Sequence, residues 1–182
     1  MNNKAVLKRG TELELDILSL AYGGMGVAKT DNFVIFVKNA IPGQKVYARV
    51  YKKRSGYAEA NVKDILRESK YAEEVRCNHY YICSKLQSLS YKQQIMEKSN
   101  QVIDAFKRLG GFSSFSLNKK VKAKKTFHYR NKMEFTFSPN RWVLETEPQG
   151  VDRSFAIGLH IPGRFDKILD IHECHIQPEI GN

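Results

Sequence analysis

From Glu12 to Ile17 the chain alternates without a break, with Glu12, Glu14 and Asp16 on one side and Leu13, Leu15 and Ile17 on the other. A period of two sends three carboxylates to water and three aliphatic side chains to a core, so Thr11–Ile17 reads as a half-buried strand. The apolar run Phe33–Val37, the alternating stretch Lys45–Tyr51 and the stretch Tyr57–Val62 follow closely. Between them stand Tyr22-Gly23-Gly24-Met25-Gly26, Ile41-Pro42-Gly43-Gln44 and Lys52-Lys53-Arg54-Ser55-Gly56. Short strands punctuated by Gly and Pro over about 60 residues predict a small antiparallel β-barrel rather than a parallel sheet, here over residues 1–66. The glycines after Tyr22 lack the Lys-Ser/Thr ending and the helix of a phosphate loop, and read as a tight hairpin or bulge.

Residues 64–90 show no convincing period. From Ser90 the signal sharpens: Ser90-Tyr91-Lys92-Gln93 matches a capping box, Ile95, Val102, Ile103, Phe106 and Leu109 fall at helical spacing, and Gly110-Gly111 ends the helix. A lysine-rich link, 119–125, leads to stretches 127–137, 141–146, 154–159 and 168–171, which read as a second, antiparallel sheet with a turn at Ser138-Pro139-Asn140. The expected class is mixed: an OB-like β-barrel, then an α+β domain over 67–182 built from one long helix and a meander.

Charge narrows the function. The chain of 182 residues carries a net charge of +11, unevenly spread. Residues 1–70 hold 13 basic and 7 acidic side chains, 71–125 hold 11 and 4, and 126–182 hold 6 and 8. A basic surface confined to the first two thirds is what a polyanion-binding face would show, because neutralised phosphates release counterions. Lys52, Lys53 and Arg54 form the most basic short stretch of the barrel, with Tyr57 beside them and Tyr47 and Tyr51 nearby. Cations to hold a backbone and rings to stack bases suit single-stranded nucleic acid. Arg130, Asn131 and Lys132 place two cations and an amide inside the expected strand 129–137, as an edge or a phosphate contact. No apolar run is long enough to span a membrane and the start lacks a signal-peptide pattern, so the expected place is the cytoplasm, without membrane partners. The odd cysteine count, Cys77, Cys83 and Cys174, argues against a disulfide framework.

Taken in order, these features resemble the RNA uracil-5-methyltransferase family: a Tyr-Gly-Gly-Met-Gly-Val turn in a TRAM barrel; Cys77, His79 and Cys83 ahead of Leu86-Gln87; the long helix; and Tyr129-Arg130-Asn131-Lys132-Met133-Glu134-Phe135. Gly158-Leu159-His160 and Asp170-Ile171-His172-Glu173-Cys174 continue the likeness. The resemblance implies that barrel and central domain bind ribosomal or transfer RNA. A later C-terminal domain would bind S-adenosylmethionine and supply the catalytic Cys that adds to C6 of uracil, and the base that removes the C5 proton. No catalytic residue of that kind is expected in these 182 residues, which alone should be inactive. The rival reading is a stand-alone TRAM-type RNA-binding module without enzymatic activity.

The resemblance also implies a four-iron four-sulfur cluster. Cys77 and Cys83 match its first two ligands and Cys174 its distant one, while the third of the Cys-x5-Cys-x2-Cys pattern has no cysteine here. A cluster completed by a residue such as His79, a structural zinc with histidine help, and three ordinary thiols all remain open.

Overall fold

The computed structural model describes residues 7–30, 33–144 and 147–182. It divides into two compact units, Met1–Val75 with Cys83–Lys122, and Arg76–Ile82 with Ala123–Asn182.

Six strands make the first unit: β1 (Glu12–Asp16), β2 (Ser19–Leu20), β3 (Gly26–Lys29), β4 (Val34–Lys38), β5 (Lys45–Lys53) and β6 (Tyr57–Arg67). Their order across the sheet is β1-β5-β6-β4-β3-β2, with β4 and β6 parallel and the other pairs antiparallel. β1 and β2 thus lie at opposite ends of the order while only Ile17 and Leu18 separate them in the chain. Ile17 donates its N–H to Gln44 O at 2.9 Å, on the β5 side, and Leu18 donates to Val27 O at 2.8 Å, on the β3 side. One bent strand therefore closes the sheet into a barrel, as expected of an OB-like fold. The inward residues Leu15, Ile17, Ala28, Ile35, Val37, Val46, Ala48, Val50, Ala58 and Ala60 fill it. The small side chains on β6 leave room for the larger ones opposite.

α1 (Tyr80–Cys83) is a single turn and α2 (Tyr91–Arg108) is the long helix. Ser90 caps α2, its hydroxyl accepting from Gln93 N–H at 3.4 Å. The Gln93 side chain donates to Glu97 at 3.0 Å, forward along the helix. The helix was expected to belong with the second sheet; it lies in the barrel's unit. The reason is polar: the amide of Leu20 on edge strand β2 donates to Glu97 Oε2 at 3.0 Å, and its carbonyl accepts from Gln101 Nε2 at 3.2 Å. Two side chains one turn apart thereby satisfy an edge strand's exposed backbone. A small core of Leu20, Ile41 and Leu89, with Tyr71, Ala72 and Leu86 against it, continues the packing.

In the second unit, β7 (Thr136–Ser138), β8 (Arg141–Trp142), β9 (Ala156–Ile161) and β10 (Arg164–Asp170) form a sheet of order β7-β9-β10-β8. It is mixed rather than wholly antiparallel, because β8 pairs parallel to β10. The expected strand over 127–137 is regular only from Thr136. Upstream, His128 N–H and Arg130 N–H donate to the carbonyls of His175 and Ile176, both at 2.9 Å, so this stretch is tied to the segment near the C-terminus, and His128, at φ 54°, interrupts any regular strand there. The stretch expected over 141–146 is strand only at Arg141–Trp142, and residues 145 and 146 lie outside the described ones.

Candidate nucleic-acid interface

Alternation along β4, β5 and β6 gives the barrel an outer face. Val34, Phe36 and Lys38 of β4 point away from the core, beside Tyr57, Glu59 and Asn61 of β6 in the parallel register Val34↔Tyr57, Phe36↔Glu59, Lys38↔Asn61. The Phe36 and Tyr57 rings meet edge-on, centroids 5.6 Å apart and planes at 73°. In β5 the register slips between Val50 and Lys52, so two residues of β5 match one step of β6. This bulge puts Tyr51 and Lys52 together on the outer side, where strict alternation would separate them. Both then reach one carboxylate: Tyr51 Oη donates to Glu59 Oε2 and Lys52 Nζ to Glu59 Oε1, each at 2.6 Å.

The electrostatics follow from these partners. The Lys52 bond, then that from Tyr51, holds the Glu59 carboxyl below its ordinary range. Burial, then the bond to Glu59, pushes the Tyr51 phenol well up, so it stays protonated as a donor. Lys52 is therefore largely committed within the protein. The β1 flank is neutralised as well: Lys45 pairs with Glu14 at 2.6 Å, Arg67 with Asp16 at 2.9 Å and Arg49 with Glu12 at 3.8 Å, while Tyr47 Oη donates to Glu12 at 2.8 Å.

The β4 side and the β5–β6 hairpin differ. Arg54 N–H donates to Tyr57 O at 2.8 Å, closing a tight hairpin on Ser55-Gly56 that presents Lys53 and Arg54 to solvent. Lys53 Nζ lies 5.2 Å from the centroid of the Phe33 ring, and Lys38 Nζ lies 4.5 Å over Tyr51. Among the described residues, Lys38, Lys53 and Arg54 have no carboxylate in ion-pair reach. Uncompensated cations thus border a patch of rings, an arrangement suited to phosphates on the ammonium groups and bases on the aromatic faces.

Of the residues singled out in the sequence, the structure brings Lys52, Lys53, Arg54 and Tyr57 together at this hairpin, with Lys52 bound to Glu59. Phe33, Phe36 and Lys38 were not singled out, because Phe33–Val37 reads only as an apolar run forming a strand. The outward phase of Phe36 and Lys38 against inward Ile35 and Val37 was the available signal. Arg130, Asn131 and Lys132 belong to the second unit. They are exposed, with Arg130 Nε donating to Lys132 O at 3.2 Å and Lys132 Nζ 2.9 Å from Glu134.

Cys77 and Cys83 are partly buried and Cys174 is buried. A cleft of about 410 Å³ in the second unit is lined by Cys77, His79, Arg141, Asp170, His172 and His175, among others. Burial, then the nearby His175, pushes the His79 imidazole below its ordinary value, favouring its neutral form. Arg141 is held there by Glu147 at 2.5 Å and Asp170 at 3.5 Å. Among the described residues no group of three or more His, Cys, Asp or Glu side chains is placed to hold a metal ion. With three cysteines and no such group among the described residues, these side chains do not fit a four-iron four-sulfur cluster.

The TRAM domain family matches residues 6–63, the barrel itself. A protein of Porphyromonas gingivalis named an uncharacterized RNA methyltransferase is 36% identical over 176 residues, spanning 92% of this chain and 38% of that protein. A second of that name, from Bacteroides thetaiotaomicron, is 38% identical over 168 residues, spanning 90% of this chain and 37% of that protein. The chain carries a TRAM domain and is similar over nearly its whole length to part of these two proteins. It spans little more than a third of the length of these relatives. The tRNA (uracil-54, C5)-methyltransferase of Pyrococcus abyssi, solved with S-adenosyl-L-homocysteine, has the same fold over 92% of this chain and 33% of its own, with a TM-score of 0.56 and 21% identity.

Proposed function

We propose that this chain is the RNA-recognition part of a cytoplasmic, S-adenosylmethionine-dependent RNA methyltransferase acting at C5 of uracil in ribosomal or transfer RNA. The observation that carries the RNA-binding half is the set of cations Lys38, Lys53 and Arg54, without an ion-pair partner among the described residues, beside Phe33, Phe36 and Tyr57 on the barrel. A folded RNA must present its target base outside the stack, and a platform that grips the surrounding single strand lowers the cost of holding that state. The uracil-5 half is supported by the order of motifs from Tyr22 to Cys174 and by the fold shared with the Pyrococcus abyssi enzyme. Methyl transfer itself is assigned to the longer protein of which this chain is the counterpart, and the methyl donor would be held there.

Two experiments test the two halves. Replacing both Lys53 and Arg54 with alanine is expected to weaken binding of a uridine-rich oligoribonucleotide at least about tenfold while the unfolding midpoint stays put. Replacing Lys52 alone should cost less, because Glu59 already holds it. Unchanged affinity in the double variant would remove this surface from the account. For the reaction, the whole protein given S-adenosylmethionine and RNA labelled with tritium at uracil C5 should release tritium to water, and retention of the label with methyl incorporation elsewhere would reject C5.

A further inference from the structure

A second feature of the first unit is unexplained by the barrel face. Ala21 N–H donates to Met25 O at 2.8 Å and Gly24 N–H to Ala21 O at 3.0 Å, closing a tight turn in which Gly23 and Gly24 have φ of 89° and 84°. The turn rests on the 85–86 segment: a Cβ on Gly24 would sit 3.5 Å from Lys85 Cβ and 3.6 Å from Leu86 Cδ2. It carries Tyr22 outward, 94% exposed, with no folding role for so large a ring. Beside it opens a groove of about 640 Å³, lined by Tyr22, Gly24, Leu86, Lys98, Val102 and Ala105 among others.

The groove is apolar with a cationic rim. Lys85 and Lys98 both line it and have no carboxylate in ion-pair reach among the described residues. The acidic residues of α2 are spent elsewhere: Glu97 accepts from Leu20 N–H and Gln93, and Asp104 pairs with Arg108 at 3.2 Å. Its volume lies in the range of small-ligand sites, large enough for a nucleobase with its ribose. An exposed phenol ring, an apolar floor and two unpaired ammonium groups match a single ligand chemistry: a flat aromatic base bearing a phosphodiester. A purely apolar partner would leave both ammonium groups without a counter-charge. A duplex could not enter, since its bases are stacked.

We propose that this groove takes one unstacked nucleotide of single-stranded RNA, its base against Tyr22 and its phosphates on Lys85 and Lys98. The inference rests on the RNA-binding reading and adds to the β4–β6–β5 face a pocket that fixes one nucleotide of the bound strand.

The test uses the full chain and a uridine-rich oligoribonucleotide carrying 5-bromouridine. Irradiation should cross-link the RNA to the peptide containing Tyr22. Tyr22→Ala should lose about tenfold in affinity, while Tyr22→Trp, which keeps a stacking face, should retain it. Lys85→Gln with Lys98→Gln should flatten the salt dependence of binding by about 0.7 in log–log slope per lost phosphate contact, and Tyr22→Ala should leave that slope alone. Circular dichroism and the thermal midpoint check that each variant is folded, which the exposure of Tyr22 predicts. If the wild-type chain binds RNA but cross-links only elsewhere, and Tyr22→Ala binds as tightly, the pocket is refuted while the barrel-face reading stands. If the wild-type chain binds no RNA, both fall.

Discussion

Glu59 shows how one side chain divides the cations of the barrel into two classes. It ties down Lys52 and Tyr51, leaving Lys53 and Arg54 at the hairpin for an external anion. The same carboxylate makes a pH prediction. Its folded-state value lies below its ordinary 4.5, so its contribution to stability is fully present above that pH and is lost as the pH falls through the lowered value. Urea unfolding followed from about pH 6 to pH 3 should show a steeper acid loss for the wild type than for Glu59→Gln, and parallel curves would contradict the assignment. Gly24 carries a second residue-scale prediction. At φ 84° an alanine is strained by its backbone conformation, while its Cβ would meet Lys85 and Leu86 only at ordinary contact distance. Gly24→Ala should destabilise the chain by about 1–2 kcal/mol in urea titrations, whereas an unchanged midpoint would mean the turn relaxes freely.

At the scale of elements, α2 buries Glu97 against the barrel, where it accepts from Leu20 N–H. Glu97→Ala strands the Leu20 amide on the edge of the barrel and should cost about 1–3 kcal/mol, and Glu97→Gln, which keeps an acceptor oxygen, should restore most of it. Equal losses in the two variants would show that the charge, not the hydrogen bond, matters. This is also where the sequence was only partly legible. The alternation of Glu12–Ile17 and the Ser90 cap revealed β1 and α2, because local period and capping chemistry decide them. The buried face of α2 was not legible: Glu97 and Ser99 are its buried residues, while Val102 and Phe106 of the apolar stripe stay substantially exposed. Packing against a strand edge overrode the hydrophobic pattern. The bulge at Tyr51 was hidden too, since a register slip leaves no mark on composition. The stretch around Arg130 was read as regular strand because its partner, the segment at His175 and Ile176, lies far along the chain.

The whole molecule combines a basic first unit, a second unit with balanced charge and a family relation spanning about a third of the length of its relatives. The proposed recognition of single-stranded RNA by the barrel is electrostatic and aromatic. The most direct test is the affinity of the chain for a uridine-rich oligoribonucleotide measured across a series of salt concentrations, with the Lys53/Arg54 double alanine variant alongside. Log affinity is expected to fall linearly with log salt, with a slope of about −0.7 for each phosphate neutralised and a shallower slope in the variant. A slope near zero in the wild type, or the same slope in both chains, would contradict it.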